Sequence, residues 1–208
     1  RLRDSVRAQL HELHARLQFS AVFVTHDKSE ALALADRLVI MRSGRFEQVG
    51  TPEDIFEAPA TEYVADFIGM SNGFEAVRVD GSWRLDGVAL TGTLPVAADQ
   101  RSVRVRLRPE DVCLAPTGSD PAPGIVTAPS VVVDSQFGGR HMDVVVEIAG
   151  HRLHSRLASD AHGGWGRRLS AGDQARFEFD PANAVLFGDD ERRIATLGSP
   201  NPVPSVAS

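Results

Sequence analysis

Seven histidines, one cysteine and a short run of alternating arginines are the residues of this 208-residue sequence whose types and spacing could do chemistry. His26 follows the apolar run Ser20-Ala-Val-Phe-Val-Thr25 and precedes Asp27 and Glu30, a helix-start pattern. It is therefore expected at the carboxyl end of a strand, where open α/β folds bind ligands. An imidazole there can hydrogen-bond a phosphate oxygen or a water and support charge developing on a transferring phosphoryl group. The plainer reading is a capping or structural histidine.

The other candidates are weaker. His11 and His14 form H-E-x-H rather than the metal-binding H-E-x-x-H, with no third ligand in view. His151 and His154 stand three apart in an expected strand, which points them to opposite faces. No metal is expected. Arg104, Arg106 and Arg108 alternate with Val103, Val105 and Leu107 and so share one face of a strand. A solvated outer face is the simple reading, and an anion or partner contact the functional one. Arg108 and Glu110, in Arg108-Pro-Glu-Asp111, are the better contact candidates, although Arg108 can instead bridge Glu110 or Asp111 to hold the turn. Trp83 and Trp165 are read as packing, and Cys113, within Val112-Cys-Leu114, as an inert core thiol. A single cysteine cannot form an intramolecular disulfide.

The elements that must position these residues fall into two kinds. Leu2, Val6, Leu10, Leu13 and Leu17 make one stripe of a helix. Residues 20–25 read as a strand buried on both faces, as in a parallel sheet, and a helix follows Asp27. Leu38-Val-Ile-Met41 reads as a strand, turned at Arg42-Ser43-Gly44 into Phe46 to Val49. Thr51-Pro52-Glu53-Asp54 starts a helix, and a last helix from Thr61 to Ile68 stops at Gly69. That is α/β architecture. From Phe74 onward the period becomes two, in Val103 to Leu107, Met142 to Ile148 and Ala175 to Phe179, with Gly, Pro and Asp between. An all-β barrel or sandwich is expected there, with two weakly self-similar stretches, 104–111 and 176–183. The Pro- and Ser-rich end, 198–208, reads as a disordered tail.

Composition narrows the function. With 42% hydrophobic and 24% charged residues the chain can build real cores. Its net charge of −6 divides evenly, −3 up to Asn72 (8 basic against 11 acidic residues) and −3 beyond (14 against 17), so no basic stripe suggests nucleic acid. No apolar run reaches the roughly 18 to 20 residues of a spanning helix, and no leader opens the chain. A cytoplasmic location is expected, and Arg1, inside a helical pattern, reads as the interior of a longer protein.

Several motifs carry a family resemblance. Val24 to Met41, opening Val-Thr-His-Asp-Lys-Ser-Glu-Ala, resembles the switch-histidine segment of the ATP-binding cassette (ABC) ATPases. Gly44-Arg-Phe-Glu-Gln-Val-Gly-Thr-Pro-Glu-Asp-Ile-Phe56, then Pro59, Tyr63-Val-Ala-Asp-Phe-Ile-Gly69 and Asn72, resembles the end of that domain in importer subunits. Arg108-Pro-Glu-Asp111, Gly124-Ile-Val, Phe137-Gly138-Gly139, Ala171-Gly-Asp173 and Phe179-Asp-Pro181 to Leu186-Phe187 resemble the transporter-associated OB-like module called TOBE. In this sequence Phe137-Gly-Gly-Arg140 replaces the bulky residue typical before the central glycine.

The resemblance implies the C-terminal α/β part of a P-loop ABC ATPase domain over residues 1–72, an all-β OB-like (TOBE) barrel over 73–197, and the tail. It implies that His26 contacts the ATP γ-phosphate and serves catalysis, with ATP and Mg as the cofactors of the full-length subunit. The phosphate loop, catalytic carboxylate and magnesium-sensing Gln lie upstream in such proteins. No G-x-x-x-x-G-K-[ST] occurs in these 208 residues, so the fragment alone is expected to be inactive. The implied partners are permease transmembrane subunits, a second ATPase subunit in a homodimer and, indirectly, a solute-binding protein, at the cytoplasmic face of the membrane. Iron(III), polyamine, thiamine or sulfate importers fit better than sugar importers. The rivals are a non-catalytic small-anion-binding or regulatory TOBE-type module and a metal-dependent hydrolase.

Overall fold

A computed structural model describes residues 13, 16, 17 and 19–194. His11, His14, most of the first helical stripe and the 198–208 tail lie outside the described residues. The chain divides between Ala60 and Thr61 into two compact units.

In the first unit, helix α1 (Lys28–Leu34) is capped by Asp27, whose Oδ1 accepts the Ser29 and Glu30 amides at 2.9 and 3.2 Å. Strands β1 (Leu38–Arg42) and β2 (Arg45–Gly50) form an antiparallel hairpin. Helix α2 (Pro52–Glu57) opens with a capping box, in which Thr51 Oγ1 accepts the Asp54 amide and Asp54 Oδ2 accepts the Thr51 amide, both at 3.1 Å. The buried Gln48 of β2 then binds the chain beyond α2. Its Nε2 donates to the Ala58 carbonyl at 3.0 Å, and its Oε1 accepts the Ala60 amide at 2.8 Å.

One expectation fails here. Residues 20–25 form no strand among the described residues, and Val22 and Val24 are 94% and 97% exposed. A buried parallel strand needs a neighbour on each side to receive its backbone hydrogen bonds. The unit's sheet consists of the β1–β2 hairpin alone, so its described residues do not make the expected α/β sheet.

The second unit begins with α3 (Glu62–Ile68), capped by Thr61 and ended by Gly69 in the left-handed conformation, φ 104°. It continues as β3 (Asn72–Val79), β4 (Ser82–Leu85), β5 (Val88–Leu90), β6 (Ser102–Leu107), β7 (Val112–Ala115), β8 (Val126–Phe137), β9 (His141–Ile148), β10 (His151–Ala158), β11 (Gln174–Phe179) and β12 (Val185–Phe187). These strands form two five-stranded antiparallel sheets, ordered β10-β9-β8-β11-β7 and β12-β6-β3-β4-β5. The alternation read in the sequence is the burial pattern observed: Val103, Val105 and Leu107 face inward, as do Ala175, Phe177 and Phe179.

Four hairpins, β1–β2, β3–β4, β4–β5 and β9–β10, turn on two residues with φ above zero: Ser43-Gly44, Asp80-Gly81, Asp86-Gly87 and Ala149-Gly150. This is the turn whose twist matches paired strands, and it selects glycine at its second position.

Both sheets bury one shared core, in which Phe74, Phe177 and Phe179 pack edge to face with ring centroids 5.8 to 6.5 Å apart. The first sheet curls, helped by a register shift in β8 between Val132 and Asp134, until its two edge strands meet. There Ser155 of β10 donates its hydroxyl to the Val112 carbonyl of β7 at 2.7 Å. The second unit is thus mostly β with a curled, half-barrel sheet.

Candidate functional site

His26 lies in the first unit, exposed, in the turn before α1. Its neighbours are fixed: Thr25 Oγ1 donates to Glu30 Oε2 and accepts the Asp27 amide, each at 3.0 Å. The turn presents the imidazole to solvent while holding the backbone on either side of it.

Arg108 and Glu110 belong to the second unit. Arg108 precedes a single 3-10 turn, Pro109–Asp111, and its guanidinium stands 3.7 Å from the Asp111 carboxylate. Burial pushes the Asp111 carboxyl above its ordinary value, against the opposing pull of Arg108. Arg108 therefore holds the turn, the structural alternative left open by the sequence, while Glu110 remains exposed.

The solvated-face reading of the neighbouring arginines is corrected. Arg104 and Arg106 close on Glu62 of α3, with N to O distances of 3.0 and 2.9 Å, and Arg106 also stands 3.6 Å from Asp66. Gly73 lies opposite Arg106 in the strand register, and a Cβ there would meet the guanidinium at 2.8 Å. Burial alone would raise the Glu62 carboxyl, but the two guanidinium hydrogen bonds outweigh it and hold the group below its ordinary range.

The β8–β9 turn, Gly138-Gly139-Arg140, leads to a second polar cluster. The His141 ring lies against Gly138, where any Cβ would sit 2.3 Å from Nε2, and reaches Asp143 Oδ2 at 3.1 Å. Arg156 holds the other carboxylate oxygen at 2.8 Å. Its hydrogen bond is the main cause that keeps the Asp143 carboxyl below its ordinary value. Ser71, Pro109, Asp143, His154 and Arg156 border a shallow cleft of about 280 Å³.

Of the remaining candidates, His151 pairs with Asp86 at 2.7 Å, whereas His154 lies on the opposite face of β10. Among the described residues no three His, Cys, Asp or Glu side chains are grouped to hold a metal ion. Trp83 is buried under the Arg78 guanidinium, 4.6 Å from its ring, and Trp165 packs on the core. Cys113 is not a core thiol. Val112 and Leu114 point inward, so strand alternation turns Cys113 outward, opposite Glu178. Sequence reasoning missed Glu62 and the partly buried ion pair Arg176–Glu178, whose guanidinium also holds Ser119. The reach of Glu62 to arginines more than 40 positions away leaves no local sequence signal, whereas the spacing of two in a strand already put Arg176 and Glu178 on one face.

Residues 105–187 match the model of the TOBE domain. Among curated proteins, the chain is 45% identical over 126 residues to the sulfate/thiosulfate import ATP-binding protein CysA of Bordetella parapertussis, covering 60% of this chain and 35% of that protein. It is 38% identical over 151 residues to the Fe(3+) ions import ATP-binding protein FbpC of Rhizobium etli, covering 71% and 41%. It is 36% identical over 154 residues to the spermidine/putrescine import ATP-binding protein PotA of Borrelia garinii subsp. bavariensis, again covering 71% and 41%. The matched regions span well under half the length of these relatives. No helix among the described residues is long and apolar enough to cross a membrane.

Proposed function

We propose that this chain, which carries a TOBE domain and is similar to ATP-binding subunits of ABC importers, is the C-terminal part of such a subunit. One observation carries the reading: a segment, Val24 to Met41, that resembles the switch-histidine segment stands ahead of residues 105–187, which match the TOBE model, in a single chain. Residues 1–72 then belong to the nucleotide-binding domain, so that α3, which packs in the second unit, is the end of that domain's chain, and residues 73–197 are its regulatory and dimerising module. Together with permease subunits, and at the cytoplasmic face of the membrane, the complete protein powers import of a solute.

In this reading His26 touches the γ-phosphate of ATP. Phosphoryl transfer asks chiefly for positioning and charge stabilisation, which one oriented N–H donor supplies at a phosphate oxygen or the attacking water. The residues that hold ATP and Mg belong to the remainder of the subunit. Glu110, exposed within the turn held by Arg108, is the contact offered to a partner.

The experiment is ATP turnover by the complete subunit. His26→Ala is expected to bind ATP but to lose on the order of a hundredfold in turnover, as when one charge-stabilising donor is removed. Turnover equal to that of the unaltered subunit overturns the assignment.

A further inference from the structure

The residues on either side of His26 are tied to helix α1 through one hydroxyl. Thr25 Oγ1 accepts the Asp27 amide at 3.0 Å and donates its proton to Glu30 Oε2 at 3.0 Å. Asp27 Oδ1 closes the ring by accepting the amides of Ser29 and Glu30. Thr25, Asp27 and Glu30 are all partly buried, whereas His26 between them is exposed.

The arrangement departs from an ordinary capping box. There, an acidic residue at the third helical position returns to the backbone N–H of the cap residue itself. Here Asp27 is the cap, and its N–H is taken by Thr25. Glu30 reaches two residues further back, past His26, to the hydroxyl of Thr25. A threonine hydroxyl has one proton and two lone pairs. Once its proton is committed to Glu30, a lone pair is left directed at the Asp27 amide, so the carboxylate sets the geometry of a bond it does not itself make.

We propose that Glu30 is a positioning residue for His26, acting through Thr25. The proposal rests on the reading of His26 as the γ-phosphate contact and adds how that contact is oriented. An exposed imidazole has no packing to fix its direction. Its aim must come from the backbone on either side, and that is what the ring of bonds immobilises. Orientation held before substrate arrives is worth rate, because it is not lost as entropy during the reaction. Glu30 therefore serves the site without touching the nucleotide.

The test uses nuclear magnetic resonance on the 208-residue chain, with no nucleotide present. It measures the hydrogen-exchange rate of the Asp27 amide and the side-chain couplings that report the His26 χ1 angle. Thr25→Val and Glu30→Ala are expected to speed Asp27 exchange by about five- to tenfold, the loss of one net hydrogen bond. In both variants the His26 couplings move toward rotamer averaging. Glu30→Gln keeps an acceptor oxygen for the Thr25 hydroxyl and is expected to restore both readouts to within about twofold of the original.

A thermal melt identical in all four proteins separates positioning from general destabilisation. Asp27 exchange and His26 couplings that are the same in Glu30→Ala as in the unaltered chain overturn the proposal, as does failure of Glu30→Gln to restore them. Because no turnover is measured, such a failure removes the role of Glu30 and leaves the assignment of His26 to its own experiment.

Discussion

The buried carboxamide of Asn72 satisfies both backbone polar groups of His154, donating from Nδ2 to its carbonyl at 2.8 Å and accepting its amide on Oδ1 at 2.6 Å. Asn72 thereby acts as a one-residue strand partner. It covers the edge of β10 at a point where no neighbouring strand pairs in register. Asn72→Ala removes both bonds and leaves two partly buried backbone groups unpaired. The expected loss is about 2 to 3 kcal/mol, read as a lower urea midpoint with an unchanged slope.

Glu62 ties stability to pH. Its folded-state carboxyl lies below the ordinary value of 4.5: burial opposes ionisation, but the bonds from Arg104 and Arg106 prevail. A depressed acid contributes stability above its unfolded pKa and loses it as pH falls through the folded one. Unfolding measured from pH 7 downward is therefore expected to show a loss that begins near pH 4.5 and continues below it. Glu62→Gln is expected to flatten that part of the curve.

Gly92 stands where the two sheets are joined, beside the paired 2.8 Å hydrogen bonds between Thr91 and Thr127. Its φ is +122°, and a Cβ would lie 2.8 Å from the Ile125 carbonyl oxygen and 3.0 Å from Val126 Cα. Both obstacles are backbone and cannot swing away. Gly92→Ala is expected to cost about 2 to 3 kcal/mol in thermal or urea unfolding, whereas Gly81→Ala, in an open turn, is expected to cost less.

Cys113 offers a chemical check on the register of β7. Being exposed, it is expected to react completely with a thiol reagent without denaturant. Partial desolvation of the sulfur by its surroundings is the main cause that raises its pKa above 9.0, with Glu178 and Asp111 adding to it. The native labelling rate is therefore expected to stay below that of the unfolded chain at pH 8 and to keep climbing past pH 9. A thiol that stays silent until the chain unfolds contradicts the outward orientation.

The sequence was most informative where one local rule decides the structure. Thr51-Pro52-Glu53-Asp54 contains both halves of its capping box, Gly69 supplies the left-handed helix end, and the period of two in 103–107, 142–148 and 175–179 marks which side chains enter the core. It misled where the outcome depends on distant partners. The run 20–25 has strand composition, but composition supplies no neighbouring strand. The triplet Val112-Cys113-Leu114 looks uniformly apolar, and only alternation separates its middle residue from the flanking two. Arg104 and Arg106 find Glu62 more than 40 positions earlier, and Asn72 finds His154 82 positions later. At the candidate site, the helix cap at Asp27 was legible, whereas the strand expected to lead into His26 is not observed among the described residues. The reach of Glu30 to Thr25 was not legible, because a cap-like sequence fits either of two bonding patterns.

The three X-Gly turns of the second unit, Asp80-Gly81, Asp86-Gly87 and Ala149-Gly150, also bear on the order in which that unit assembles. Hairpins closed by two residues bring only near neighbours together, so they form with little loop entropy to overcome. The meeting of β10 with β7 joins chain segments more than 40 residues apart and is expected late on the pathway. A change at that seam, such as Ser155→Ala, should then quicken escape from the native state while leaving the rate of reaching it almost untouched. The hairpin turns would set how fast the unit forms, and the seam how long it lasts.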